Sequence, residues 1–218
     1  MTAFPVRRIG VQMIGARRLY RADVLGPVVR ALVGNPLFAP EEWGLDDRSA
    51  FPWDEARVLG AAAGKPTPYV LRLRRKKRIK HETSCSLADR SSLIVDVNAK
   101  TPEKDWPAVF ALGDELAAAY QPEIGWTQIA AVVPAPLDET ARARAAMDAC
   151  CSAAPIKFAE SGPLGLAMRT FIGPRLLQLL GEERVRSTPA VVTALPWGGV
   201  RIDLVAEPWA ASAEALSS

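Results

Sequence analysis

Acid–base chemistry near neutral pH most often rests on histidine, and this sequence contains one, His81. The nearest nucleophile along the chain is Cys85. On an extended strand the two would share a face but stand about 13 Å apart, too far for the hydrogen bond of a Cys–His dyad. His81 is therefore expected to be an exposed or half-buried strand residue. A lone imidazole also cannot build a zinc site, which needs clustered ligands, so no metal is expected. The remaining thiols, Cys150 and Cys151, are adjacent and can pair only through a strained ring. They read as free thiols in a reducing compartment.

Other catalytic signatures are missing. The nearest serine pattern, Ser161-Gly162-Pro163, has no recognisable base to activate it. Gly64-Lys65 resembles the end of a phosphate loop, but Pro66 stands where Ser or Thr is required, so no nucleotide cofactor is expected. Asp46 and Asp47 lack the spaced partners of a calcium loop. An enzyme built on two carboxylates stays open, because sequence does not say which acids share a cleft. The expectation is a protein that binds rather than catalyses.

Charge is concentrated in two short segments. Between Glu41 and Glu55 six acids (Glu41, Glu42, Asp46, Asp47, Asp54, Glu55) face one base, Arg48, for a local charge of −5. Between Arg72 and Lys80 there are seven bases and no acid: Arg72, Arg74, Arg75, Lys76, Lys77, Arg78 and Lys80. Such a run could bind nucleic acid through phosphates. No aromatic residue interleaves it for base stacking, and a charged hairpin tip is also a common way to keep a sheet edge soluble. A nucleic-acid-binding module is thus the second reading.

The elements around these segments follow from periodicity. Ile9–Ile14 reads as a first strand. Val24, Leu25, Val28, Val29 and Leu32 have helical spacing, with Pro27 tolerable near the first turn, and Gly34-Asn35-Pro36 ends the helix. Leu37–Trp53 reads as an ordered loop rich in Pro, acids and aromatics. Asp54 caps a short helix. Tyr69–Arg74, Ile79–Leu87 and Ser92–Asn98 read as a three-stranded meander. A helix with Asp105 as its N-cap runs to Tyr120 and stops at Gln121-Pro122, and Trp126–Val133 is another strand. An alanine-rich helix from Asp138 to Cys150 precedes an irregular stretch, 152–165. A short helix opens at Gly173-Pro174 and closes at Gly181, and two strands, 189–194 and 200–205, flank a Gly198-Gly199 turn.

The expected fold is α+β: a mostly antiparallel sheet, meander plus C-terminal hairpin, with helices packed on it, in one domain over residues 1–218. The 49% hydrophobic and 23% charged composition suits a core that needs no disulfides. No stretch reaches the roughly 20 apolar residues of a membrane span, and no signal-peptide pattern opens the chain, so a cytoplasmic protein is expected.

The segment Phe171-Ile172-Gly173-Pro174-Arg175-Leu176-Leu177, then Leu180-Gly181, Leu195-Pro196-Trp197-Gly198-Gly199-Val200-Arg201-Ile202-Asp203-Leu204 and Glu207-Pro208-Trp209 resembles bacterial immunity proteins of polymorphic-toxin and contact-dependent secretion systems. Among these the chain most resembles the immunity protein 52 family, and Trp43-Gly44-Leu45-Asp46-Asp47 is similar to a loop near the start of such chains. The resemblance implies an α+β fold without catalytic activity. It also implies tight binding of a cognate toxin, expected to be a nuclease. On that reading Glu41, Glu42, Trp43, Asp46, Asp47, Trp53 and Asp54 form the toxin-facing loop, its carboxylates filling a basic cleft and Trp43, Phe51 or Trp53 supplying an apolar anchor.

Overall fold

The computed structural model describes residues 6–62, 64, 66–89, 91–131, 158–159, 162–163 and 166–210. In chain order its elements are β1 (Val6–Gly15), α1 (Ala22–Gly34), β2 (Glu42–Gly44), β3 (Phe51–Pro52) and α2 (Glu55–Ala62). β4 (Val70–Arg75), β5 (His81–Ser86), β6 (Ser91–Val97), α3 (Trp106–Tyr120) and β7 (Ile124–Ala131) follow. After β8 (Phe158–Ala159) and β9 (Gly162–Pro163) come β10 (Arg169–Ile172), α4 (Pro174–Leu180), α5 (Glu182–Arg186), β11 (Val191–Ala194) and β12 (Val200–Asp203). Ten strands form one sheet in the order β11-β12-β10-β7-β1-β6-β5-β4-β2-β3, with antiparallel pairing throughout. The α+β class is as expected, and so is a single antiparallel sheet holding both the meander and the C-terminal hairpin, here joined through β1.

Side-chain alternation gives that sheet two different faces. Ile9, Val11 and Met13 of β1, Leu71 and Leu73 of β4, and Leu93, Val95 and Val97 of β6 all point the same way and are buried. They pack under α3, which lies over β1 and β7, and under α1, which packs on α3. The α1 stripe Val24, Leu25, Val28, Val29 and Leu32 is fully inside, as its spacing predicts. Pro27 lies within the helix beyond the first turn, where the bond its N–H would have made to the Asp23 carbonyl is forgone. On the opposite face, α4 and α5 cover the far end of the sheet through Leu177 and Val185 against Ile172, Val200 and Ile202.

Three expectations need correction, and a fourth in part. The stretch 37–53 is not all loop, because β2 pairs with β4 and β3 pairs with β2. Asp105 stands at the N-cap position of α3, as expected, but its side chain makes no cap bond; it ends a 3-10 turn, and its carboxylate pairs with Arg78. β10 has no counterpart in the strands expected from periodicity, yet it joins β7 to β12. Within 152–165, where the sequence predicts irregular chain, β8 and β9 pair as a short ribbon. Asp54 does cap α2, its carboxylate accepting the Arg57 N–H at 3.0 Å. The expected helix 138–150, the thiols of Cys150 and Cys151, and Ser161 lie outside the described residues.

Helix α3 approaches the sheet closely at Gly113, where an added Cβ would stand 2.3 Å from the Thr127 hydroxyl oxygen of β7. Helix propensity favours alanine over glycine by about 1 kcal/mol, but overpacking a buried contact costs about 1–3 kcal/mol and should win. Gly113→Ala should therefore lower the urea midpoint, and adding Thr127→Ala to the same chain should restore most of the loss. Additive losses in the double variant would show that the two residues do not touch.

Candidate functional site: the charged edge of the sheet

The two charged segments fold against each other. The β2–β4 register sets Glu42 opposite Arg74 and Gly44 opposite Arg72. Lys76 Nζ reaches Glu42 at 2.7 Å, Lys77 Nζ reaches Glu41 at 3.2 Å, and Arg72 pairs with Asp47. From the next strand Glu82 receives both Arg72 and Arg74, the latter at 2.8 Å. Arg78 pairs with Asp105, and Arg75 donates to the Ala39 carbonyl at 2.7 Å. Of the seven bases, Arg75 and Lys80 are without an ion pair among the described residues. The Glu41 carboxyl is held below the ordinary carboxylate range by the Lys76 backbone N–H and then by Lys77.

Arg74 does the most. Its side chain is 16% exposed and, besides Glu82, donates to the carbonyls of Ser49 (2.7 Å), Asp46 (3.2 Å) and Asp47 (3.4 Å). The loop between β2 and β3 is therefore tied down from its carbonyl side. Within it the Asp46 carboxylate accepts the N–H groups of Arg48 (2.8 Å) and Ser49 (2.5 Å), which lowers its pKa. Trp43 is buried, and Trp53 packs partly buried on the same core. Phe51 is the aromatic that reaches solvent, 48% exposed, its ring centroid 5.3 Å from that of Trp43. Around it Asp46, Asp47, Arg48, Ala50 and Pro52 are exposed.

His81 is not exposed or half-buried as its place in sequence implied; it is 5% exposed and points into the core with Thr83 and Cys85. Its Nε2 lies 3.0 Å from the Phe38 carbonyl, an oxygen that only accepts, so Nε2 carries the proton. Nδ1 then accepts from the Thr83 hydroxyl at 3.4 Å. Burial, opposed by the Phe38 bond and reinforced by Arg75, pushes the pKa down to about 4. Burial pushes the Cys85 thiol up to about 12, which leaves it inert. Among the described residues no group of three His, Cys, Asp or Glu side chains could hold a metal.

A second cluster escaped sequence reading. Arg169 is 4% exposed, and its guanidinium pairs with Asp203 at 2.6 Å and with Asp114 of α3 at 3.0 Å. It also donates to the Phe110 carbonyl at 3.1 Å and lies over the rings of Phe110 and Trp209. Arg201 completes the group by reaching Asp114 at 3.2 Å and Asp203 at 3.0 Å. Burial raises the Asp114 pKa against the pull of Arg169 and Arg201. Two cations and two anions balance, as a buried network requires, and the cluster ties α3 to β10, β12 and the Pro208–Ala210 turn. The signal in the sequence was the charged residues of two short strands, Arg169 in β10 and Arg201 and Asp203 in β12, with Arg169 facing Asp203 in register.

No family model and no curated protein matches this chain. Among solved structures the fold is similar to the Pseudomonas aeruginosa T6SS protein PA0821, with a TM-score of 0.53 and 12% sequence identity, over 96% of this chain and 72% of that one. Among the described residues no helix is long and apolar enough to cross a membrane.

The His81 environment fixes a pH dependence. Folding lowers this group's pKa from about 6.5 to about 4, so the unfolded chain binds the proton more readily. The associated stability is complete above pH 6.5 and is lost as pH falls toward 4, by about 3 kcal/mol in all. Urea midpoints of wild type and His81→Gln, compared between pH 7 and pH 4, should show the variant with the shallower decline. Parallel curves would place the proton uptake elsewhere.

Proposed function

We propose that this chain is an immunity protein of a type VI secretion system, which binds a cognate toxin, nuclease-like in kind, and neutralises it by covering its active site. The supporting observation is the likeness of fold, over nearly the whole chain, to the Pseudomonas aeruginosa T6SS protein PA0821. The resemblance of Trp43–Asp47 and of the Trp197–Asp203 segment to the immunity protein 52 family points the same way. Catalysis is not required of such a protein, and the one histidine here is buried, neutral and satisfied at both ring nitrogens.

The toxin-facing surface on this reading is the β2–β3 edge, with Phe51 as anchor and Asp46, Asp47 and Asp54 around it. Glu41, Glu42 and Trp43 act from behind: the two glutamates hold the basic run and the indole supports the Phe51 ring. A rigid, preorganised aromatic costs less entropy on binding than a mobile one.

The test uses the full chain and a toxin domain encoded beside it. Wild type should form a one-to-one complex and abolish toxicity on co-expression. Phe51→Ala should weaken binding at least about tenfold by calorimetry, with Asp47→Asn adding a slower association. Unchanged affinity for both variants would remove this edge from the interface, and failure to bind or protect at all would remove the immunity reading.

A further inference from the structure

The two ends of the sheet are built in opposite ways. At one end β3 is two residues long, contains Pro52 and is surrounded by Asp46, Asp47, Arg48, Asp54 and Glu55. Each of those features discourages another strand from pairing. At the other end β11 has the sequence Val-Val-Thr-Ala, rich in β-branched residues, and from Ser187 to Val200 no residue is charged. Val191 is 45% exposed. Among the described residues, no strand pairs with the outer side of β11.

The hydrogen-bond phase of this edge can be read from the turn beside it. Leu195 donates its N–H to the Gly199 carbonyl at 2.8 Å. In an antiparallel ladder bonded pairs alternate, so Thr193 opposite Arg201 and Val191 opposite Asp203 spend their backbone groups on β12. The N–H and C=O of Val192 and Ala194 therefore point outward. Val192 also packs on the Leu177–Val185 cluster beneath α4 and α5, which holds the strand flat against its neighbour.

We propose that β11 is a self-pairing edge, and that a second copy of this chain adds its own β11 antiparallel to it, merging two sheets into one. A two-fold axis normal to the sheet and centred on Val192 satisfies the geometry. It sets Val192 against its own copy as a bonded pair and Val191 against Thr193, and every side chain keeps its face. Ala194 then donates to Ala190 of the other copy. A two-fold contact also brings the residues beside the axis near their own copies, so a charge there would meet a like charge. The uncharged run 187–200 removes that penalty, whereas the acidic β3 edge would carry it in full. This inference does not rest on the immunity reading.

Light scattering after gel filtration of the full chain, over a dilution series, tests it. Wild type should approach about twice the 23.5 kDa chain mass at the concentrated end. Val192→Pro removes an outward N–H that β12 does not use, and should run at the single-chain mass with an unchanged circular dichroism spectrum. Val191→Lys should do the same by placing two ammonium groups close together, and it decides the matter if the proline variant fails to fold. A wild type that stays at the single-chain mass throughout overturns the proposal, as does a folded variant that keeps the double mass.

Discussion

Arg74 and Glu82 set the terms for the outer third of the sheet. β2 and β3 together contain five residues in strand conformation, too few to hold an edge by backbone pairing alone. What keeps them in place is the guanidinium of Arg74, whose side chain is 16% exposed and which ties one carboxylate and three loop carbonyls at once. Hydrogen bonds to a charged group contribute about 1.5–3 kcal/mol each, against 0–1 kcal/mol for an exposed ion pair. The bonds from Arg74 therefore outweigh the pairs that Lys76 and Lys77 make in solvent. The outward character of the whole edge follows from this. Five of the seven bases are turned toward acids, and beside them Phe51 leaves a small apolar point among Asp46, Asp47, Arg48, Ala50 and Pro52.

The central strand supplies the other constraint. β1 pairs on both sides and lies under α3, so the N-terminal strands and the C-terminal hairpin share one sheet and one continuous interior. Its far end is closed by the neutral cluster of Arg169, Asp203, Asp114 and Arg201, where opposite charges pair with one another. Neither constraint creates a reactive group. Both create surfaces: a locked, mixed-charge edge on one side and an uncharged edge on the other.

Much of this was legible in the chain. Alternation and helical spacing located α1, α2, α3, the meander and the closing strands to within a few residues, because one face of each is continuously apolar. β2 and β10 were not found that way. β2 is three residues long and alternates only once, while β10 reads Arg-Thr-Phe-Ile and is buried on both faces, so neither carries a period. The parity of β5 was ambiguous as well. His-Glu-Thr-Ser-Cys-Ser offers polar residues to both faces, and the pairing with Leu71 and Leu73 decides that His81 goes inward. The pairing of the two charged segments depends on a register between residues about thirty apart, which local pattern does not encode. Read separately they look like two interaction patches; folded, they are largely each other's partners.

That mutual neutralisation is the claim on which the choice of function turns, because seven free cations on a hairpin would make this a nucleic-acid binder. An anisotropy titration of the full chain against a labelled DNA duplex, repeated from low to physiological salt, measures it directly. With five of the seven bases engaged by Glu41, Glu42, Asp47, Glu82 and Asp105, the account predicts no saturable binding at physiological salt and little salt dependence below it. Saturable binding with a log–log salt slope of about −6, the value for seven neutralised phosphates, would contradict it.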